Sequence, residues 1–175
     1  MTKSQKEVLD RITIKSVKTM NGLDGTIIDC NIYLDNKKVA NYHNDGCGGE
    51  GVVHAFPIKK DYKINREKLN EINTLIDKLP KVKSEISGGT LDPDIDWVVE
   101  ELVELKNFEK NLRKSICFGV DEKSDVLGIS LPYSYRSISY KKISNLNKLK
   151  PEFLKKEFLR IEKELSENEV IFNKR

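Results

Sequence analysis

The feature that most constrains the fold of this chain is the alternation of apolar and polar residues between Arg11 and His43. Its clearest apolar face consists of residues two positions apart, namely Ile28, Cys30, Ile32 and Leu34. Turn-forming residues interrupt the alternation at Asn21-Gly22, Asp24-Gly25 and Asp35-Asn36-Lys37. A period of two places successive side chains on opposite faces of a strand, and short turns between such segments are typical of hairpins. The pattern predicts an antiparallel meander.

Two central segments have apolar residues at helical spacing instead. The first begins at Asn65, the predicted N-cap, and ends at Pro80, which cannot continue a helix. The second has Asp92 as its predicted N-cap and Pro93 at its first helical position, and it runs to Lys114. Both segments predict amphipathic helices that bury one face.

The last third of the chain predicts a second β segment and a final helix. Residues 116–120 and 126–131 are apolar runs on either side of a polar turn, which indicates a hairpin. Residues 136–143 and 169–172 predict further strands, and Pro151 opens a helix. The sequence therefore predicts an α+β fold with an N-terminal antiparallel sheet, two central helices, a second β segment and a C-terminal helix.

The length of 175 residues suits a single domain covering 1–175. Residues 80–92 are rich in proline, glycine and serine, which is typical of a linker. The alternative organisation is two lobes hinged at 80–92, with a β-rich lobe over 1–80 and a mixed helical and β lobe over 93–175.

Composition excludes several classes of protein. The net charge of +3 is too small to demand a polyanionic partner, and no apolar run approaches the roughly 20 residues that span a bilayer. The N-terminal residues are polar, so we expect a cytoplasmic protein without membrane partners. Three cysteines, Cys30, Cys47 and Cys117, lie far apart and form no C-x-x-C pair, so buried free thiols are expected.

Four of the ten glycines lie in the hexapeptide Gly46-Cys47-Gly48-Gly49-Glu50-Gly51. It satisfies the spacing G-x-G-x-x-G, but a dinucleotide site needs a helix after this motif, and residues 52–56 are β-like. A kinase glycine loop is excluded because the chain has no Asp-Phe-Gly or His-Arg-Asp. We therefore expect no cofactor. The segment predicts a wide connection between strands or, alternatively, a partner-binding loop formed by Asp45, Gly46, Gly48, Gly49 and Glu50.

Three other groups of residues are candidates for function. His43, Cys47 and His54 are metal-ligand or nucleophile types around the glycine cluster, so a small metal- or cysteine-dependent enzyme is one alternative. Residues 133–142 interleave aromatic and basic side chains, which indicates nucleic-acid binding through Tyr135, Arg136, Tyr140, Lys141 and Lys142. Trp97 lies off the apolar stripe of its helix, where it suits a partner surface.

The segment Asp35-Asn36-Lys37-Lys38-Val39, with Asn44-Asp45-Gly46-Cys47-Gly48-Gly49 after it, resembles the N-terminal third of small uncharacterised proteins of phages and their bacterial hosts. Those proteins have a hairpin Asp-Gly-Lys-Lys-Val before Asp-Gly-x-Gly-Gly. Asn36 replaces the usual glycine, which a type I′ turn accepts. The resemblance implies a phage or mobile-element origin. The leading hypothesis is a non-enzymatic interaction protein that binds and modulates, or inhibits, a host defence protein.

Overall fold

The computed structural model describes residues 1–56, 62–84, 88–132, 134–140 and 145–174. The α+β class predicted from the sequence is confirmed. The chain forms two compact units, unit 1 comprising Met1–Val103 with Asp125–Gly128 and unit 2 comprising Glu104–Ser124 with Ile129–Arg175. Residues 80–92 lie within unit 1.

Unit 1 is built on the predicted meander. Its elements, in chain order, are α1 (Lys3–Arg11), β1 (Ile12–Asn21), β2 (Thr26–Leu34), β3 (Lys37–Asp45), β4 (Val52–Ala55), α2 (Tyr62–Ile76), β5 (Val82–Lys83), β6 (Thr90–Leu91) and the first part of α3 (Ile95–Lys114). The first four strands form an antiparallel sheet in the order β1-β2-β3-β4, and β5 pairs with β6. The meander that the alternation predicted is confirmed.

Local chemistry determines the turns and faces of this sheet. Asp35 and Asn36 join β2 to β3 with φ angles of 49° and 64°, the left-handed conformation that a type I′ turn requires. The predicted apolar face of β2 is buried. Helix α2 contacts β3 and β4, and its own apolar face is buried at Ile72, Leu75 and Ile76. The opposite face of the sheet includes the exposed polar side chains of Asp29, Asn41 and His43.

Unit 2 contains the end of α3 and a smaller sheet. Its further elements are β7 (Ser115–Val120), β8 (Arg136–Ser139), α4 (Pro151–Glu162) and β9 (Glu169–Ile171). The strands are antiparallel in the order β8-β7-β9. Ile116, Phe118, Leu146, Ile161 and Ile171 form a buried cluster that unites this sheet with α4. The predicted terminal strand and the helix opening at Pro151 are confirmed.

The predicted hairpin of 116–120 with 126–131 is wrong in its second half. Residues 126–131 do not form a strand, and only one isolated bridge, Lys123 with Ser130, marks the return of the chain. The carboxylate of Glu101 accepts the backbone N–H groups of Val126 and Leu127 at 2.9 and 2.8 Å, so these groups are not available for strand pairing. Of the strand predicted over 136–143, the structure has 136–139, and 141–143 lie outside the described residues.

Helix starts also differ from the prediction. Helix α2 begins at Tyr62, and Asn65 lies inside it, where its side-chain amide donates to the Phe56 carbonyl at 3.0 Å. Helix α3 begins at Ile95, because the carboxylate of Asp94, not Asp92, accepts the Trp97 N–H at 3.0 Å.

Helix α1 was not predicted from the sequence. Thr2 caps it in a capping box with Gln5.

Candidate functional site

Two connections at one end of the large sheet are held together by their backbones. The hairpin loop (residues 22–25) joins β1 to β2, and the glycine loop (residues 46–51) joins β3 to β4. The Asp24 N–H donates to the Gly46 carbonyl at 3.0 Å. A Cβ on Gly22 would lie 2.6 Å from the same carbonyl oxygen, so only glycine permits this approach. We call the two loops together the loop tip.

The glycine loop satisfies its own first backbone groups. Gly46 has φ of +67°, and its N–H donates to the Asn44 side-chain oxygen at 2.9 Å. The Cys47 N–H donates to the Asp45 carboxylate at 3.0 Å. Because a Cβ on Gly46 would also lie 2.9 Å from the Ile27 nitrogen, glycine is required here by both conformation and space. These residues form a wide connection between two strands, as the sequence predicted.

The far end of the glycine loop is anchored by Asp96 in the first turn of α3. One carboxylate oxygen of Asp96 accepts the Gly51 N–H at 3.0 Å and the hydroxyl of Tyr42. Burial raises the pKa of Tyr42 well above its usual value, and the hydrogen bond to Asp96 raises it further. The Tyr42 hydroxyl therefore stays protonated at neutral pH and acts as the donor. A Cβ on Gly51 would overlap both of these side-chain groups.

The outer part of the loop tip is exposed. Within the described chain, the backbone N–H groups of Gly48, Gly49 and Glu50 have no hydrogen-bond acceptor, and no atom lies within 4 Å of a Cβ built on Gly49. Leu23, in the hairpin loop, is 89% exposed. A large apolar residue exposed on an anchored loop suits a contact with a partner, because its burial there would remove apolar area from water.

The charged residues of the two loops and their flanking positions have one sign. Asp24, Asp45 and Glu50 are exposed, whereas residues 20–27 and 44–52 contain no lysine or arginine. Two further apolar residues, Met20 and Val52, are 65% and 50% exposed at the flanks of the loops. Sequence reasoning missed Leu23, although a leucine between two glycine-containing turns was a visible signal.

Trp97, the other predicted partner-surface residue, is half-buried. It directly follows Asp96, so its backbone belongs to the helical turn that anchors the glycine loop.

The structure does not assemble His43, Cys47 and His54 into a metal site. Register places His43 opposite Val52 and His54 opposite Asn41, and the His43 Nδ1 lies 2.7 Å from the Asp29 carboxylate. Over the described ranges, no group of three or more His, Cys, Asp and Glu side chains is arranged to hold a metal ion.

All three cysteines are free, but their environments differ. Cys47 is exposed in the glycine loop, so the prediction that it is buried was wrong. Cys30 and Cys117 are buried, and burial raises the pKa of their thiols to about 12 and about 11.

The candidate nucleic-acid residues make contacts within unit 2. The Tyr135 hydroxyl accepts the side-chain amide of Asn111, and its ring packs edge-on against Phe108. Both side-chain oxygens of Glu169 accept from Arg136 at 2.7 Å. The Tyr140 hydroxyl donates to Glu157 at 3.0 Å. Lys141 and Lys142 lie outside the described residues. These contacts occupy hydrogen-bonding groups of Tyr135, Arg136 and Tyr140, and ring surface of Tyr135, that a nucleic acid would otherwise use.

Comparisons with protein-family models, curated proteins and solved structures give no match for this chain. Among the helices in the described ranges, none has the length and apolar character needed to cross a membrane.

Proposed function

We propose that this chain is a non-enzymatic interaction protein that contacts a partner protein through the loop tip. The observation that carries the proposal is the exposed Leu23 on a loop whose neighbours hold its backbone in place. Because the backbone of Leu23 lies in an anchored loop, binding needs little further ordering of that backbone, and more of the free energy of burying the side chain contributes to affinity.

The chemistry of the loop tip supports a partner of a particular kind. Asp24, Asp45 and Glu50 are the charged residues of residues 20–27 and 44–52, and all three are acidic, so we infer that the partner presents an apolar pocket with basic residues at its rim. The resemblance of the N-terminal third to small phage proteins supports a bacterial host protein as the source of that surface. Binding would then modulate the host protein by covering it.

The test compares two leucines that are both exposed. Leu23→Ser changes the loop tip, and Leu159→Ser is the matched control in α4, where the leucine is 52% exposed. Each variant, and the wild type, is immobilised and used to capture proteins from a bacterial lysate, and the captured proteins are quantified by mass spectrometry. We expect one protein to be retained by the wild type and by Leu159→Ser but not by Leu23→Ser.

Affinity for the purified partner gives the magnitude. Full burial of a leucine contributes about 1.5–3 kcal/mol to binding. The dissociation constant of Leu23→Ser should therefore be roughly 10- to 150-fold larger than that of the wild type. Circular dichroism of both variants should match that of the wild type, because neither leucine belongs to a core. Equal capture by all three proteins, or capture of nucleic acid alone, would refute the proposal.

A further inference from the structure

Over the described residues, no further strand lies beside either outer strand of the large sheet, and these two free edges differ in how they are protected. Strand β1 has a bulge between Lys15 and Lys18, with Ser16 at φ of 56°, and both lysines are exposed. Bulges and lysines on an outer strand prevent another strand from pairing with it. Strand β4 (Val52–Ala55) is short and regular and contains no lysine or proline. Only β1 has these two protective features.

The backbone of β4 presents hydrogen-bonding groups outward. The Phe56 N–H donates to the Val39 carbonyl at 2.8 Å, and the register continues as His54 opposite Asn41. Hydrogen-bonded and non-hydrogen-bonded pairs alternate along antiparallel strands. Val53 and Ala55 therefore direct their N–H and C=O groups away from β3, toward the free edge.

A groove runs beside this edge. It has a volume of about 360 Å³ and is lined by Val53, His54, Ala55, Arg66 and Leu69. The β4 side supplies backbone and imidazole, and the α2 side supplies an apolar and a cationic side chain. Asn65 stabilises the junction of these two elements, because its buried side-chain amide donates to the Phe56 carbonyl at 3.0 Å.

The groove is cationic. In the described part of the chain Arg66 makes no ion pair, in contrast to Arg11, which pairs with Asp35 and Glu71. Lys63 lies one helical turn before Arg66 on the same face of α2. Among the described residues that line the groove, none is acidic. An acidic occupant complements this charge, whereas a second copy of β4 would bring two Arg66 side chains together.

We propose that the β4 edge binds an extended acidic peptide segment of a partner protein, which adds as a fifth strand beside β4. Its backbone pairs with Val53 and Ala55, alternate side chains face Leu69, and a carboxylate pairs with Arg66. The outward backbone groups favour a peptide over a single-stranded nucleic acid, which has no amide backbone to pair with them. This site is separate from the loop tip and does not depend on the function proposed there.

The probe is a displayed library of random twelve-residue peptides, selected on the immobilised full-length protein. We expect enrichment of peptides that combine aspartate or glutamate with β-branched residues. The best peptide, titrated into isotopically labelled protein, should slow hydrogen exchange of the Val53 and Ala55 amides. Arg66→Glu should weaken its binding about tenfold or more, because it replaces an attractive charge by a repulsive one. Lys78→Glu, an equal charge change at another exposed position, should leave the affinity within about twofold.

Two further arms separate the possible explanations without altering the groove. Two versions of the peptide are made, one N-methylated at its odd-numbered residues and one at its even-numbered residues. Only alternate amides of a strand face β4, so one version should lose binding and the other should keep it. Leu23→Ser should bind the peptide with the affinity of the wild type. The experiment therefore tests the β4 edge independently of the function proposed for the loop tip. The proposal is overturned if no peptide is enriched or if oligothymidine displaces the peptide. It is also overturned if both N-methylated peptides bind equally, or if Arg66→Glu and Lys78→Glu have the same affinity for the peptide.

Discussion

The shared hydrogen bonds of Asp96 provide a quantitative test of how the glycine loop is anchored. Asp96→Ala removes the acceptor of the Tyr42 hydroxyl and of the Gly51 N–H. Tyr42 is 1% exposed, so its hydroxyl would be left in the interior without this partner. A hydrogen bond to a charged group contributes about 1.5–3 kcal/mol. Two such bonds predict a loss of about 3–6 kcal/mol in the free energy of unfolding of unit 1.

Tyr42→Phe removes only the first of these bonds, so its predicted cost is about 1.5–3 kcal/mol. In the double variant the cost of the Tyr42 bond is counted once, and the two single changes should therefore fail to add by about 1.5 kcal/mol or more. Because both substitutions remove the same hydrogen bond, the double variant should be more stable than the sum of the two single losses predicts.

The assay is equilibrium unfolding in urea, followed by the fluorescence of Trp97, the single tryptophan of the chain, which lies in unit 1. Tyr33→Phe is the control, because Tyr33 is half-exposed on the open face of the same sheet and should change the free energy by less than about 0.5 kcal/mol. Additivity of Asp96→Ala and Tyr42→Phe within about 0.5 kcal/mol would show that the two side chains do not interact, and the account of the anchored loop would fail.

Two further predictions concern titration and reactivity. In the folded protein a disulfide reagent at neutral pH should modify Cys47 and leave Cys30 and Cys117 unmodified until denaturant is added, because the last two are buried with raised pKa values; rapid modification of native Cys47→Ser protein would contradict this. Burial, and then the hydrogen bond to Glu157, raises the pKa of Tyr140 from 10.0 to about 12. The stability from this group is therefore complete below pH 10 and lost as the pH rises to about 12. Urea unfolding followed by circular dichroism should show a smaller alkaline loss for Tyr140→Phe than for the wild type, and identical losses would count against the assignment.

Several elements were predictable because their signals are local. The alternation of β2 and the left-handed turn at Asp35 and Asn36 depend on neighbouring residues alone, and both predicted the meander correctly. The same is true of the helix that opens at Pro151. Helix α1 also had a local signal, the Thr2 and Gln5 capping box, which was not recognised.

Other elements were mispredicted because distant residues compete for local groups. Asn65 is a good N-cap residue, yet its amide is used by the carbonyl of Phe56, nine positions earlier. The run that begins at Val126 looks like a strand, but the carboxylate of Glu101 accepts its first amides, and the side chain of Gln5 donates to the Val126 carbonyl at 2.9 Å. In both cases a group from a distant part of the chain replaces the expected local partner.

The sequence by itself determined the strands of the meander, the identity of its turns and the fact that the glycine-rich hexapeptide joins two extended segments. Only the tertiary structure decided that Gly46 meets Gly22, that Asp96 anchors Gly51, and that Arg66 stands beside the free edge of β4. The physical reason is the distance along the sequence over which each interaction acts. Strand and turn preferences arise within a few residues, whereas these contacts join residues that come together only after the sheet has its register and the helices have packed against it.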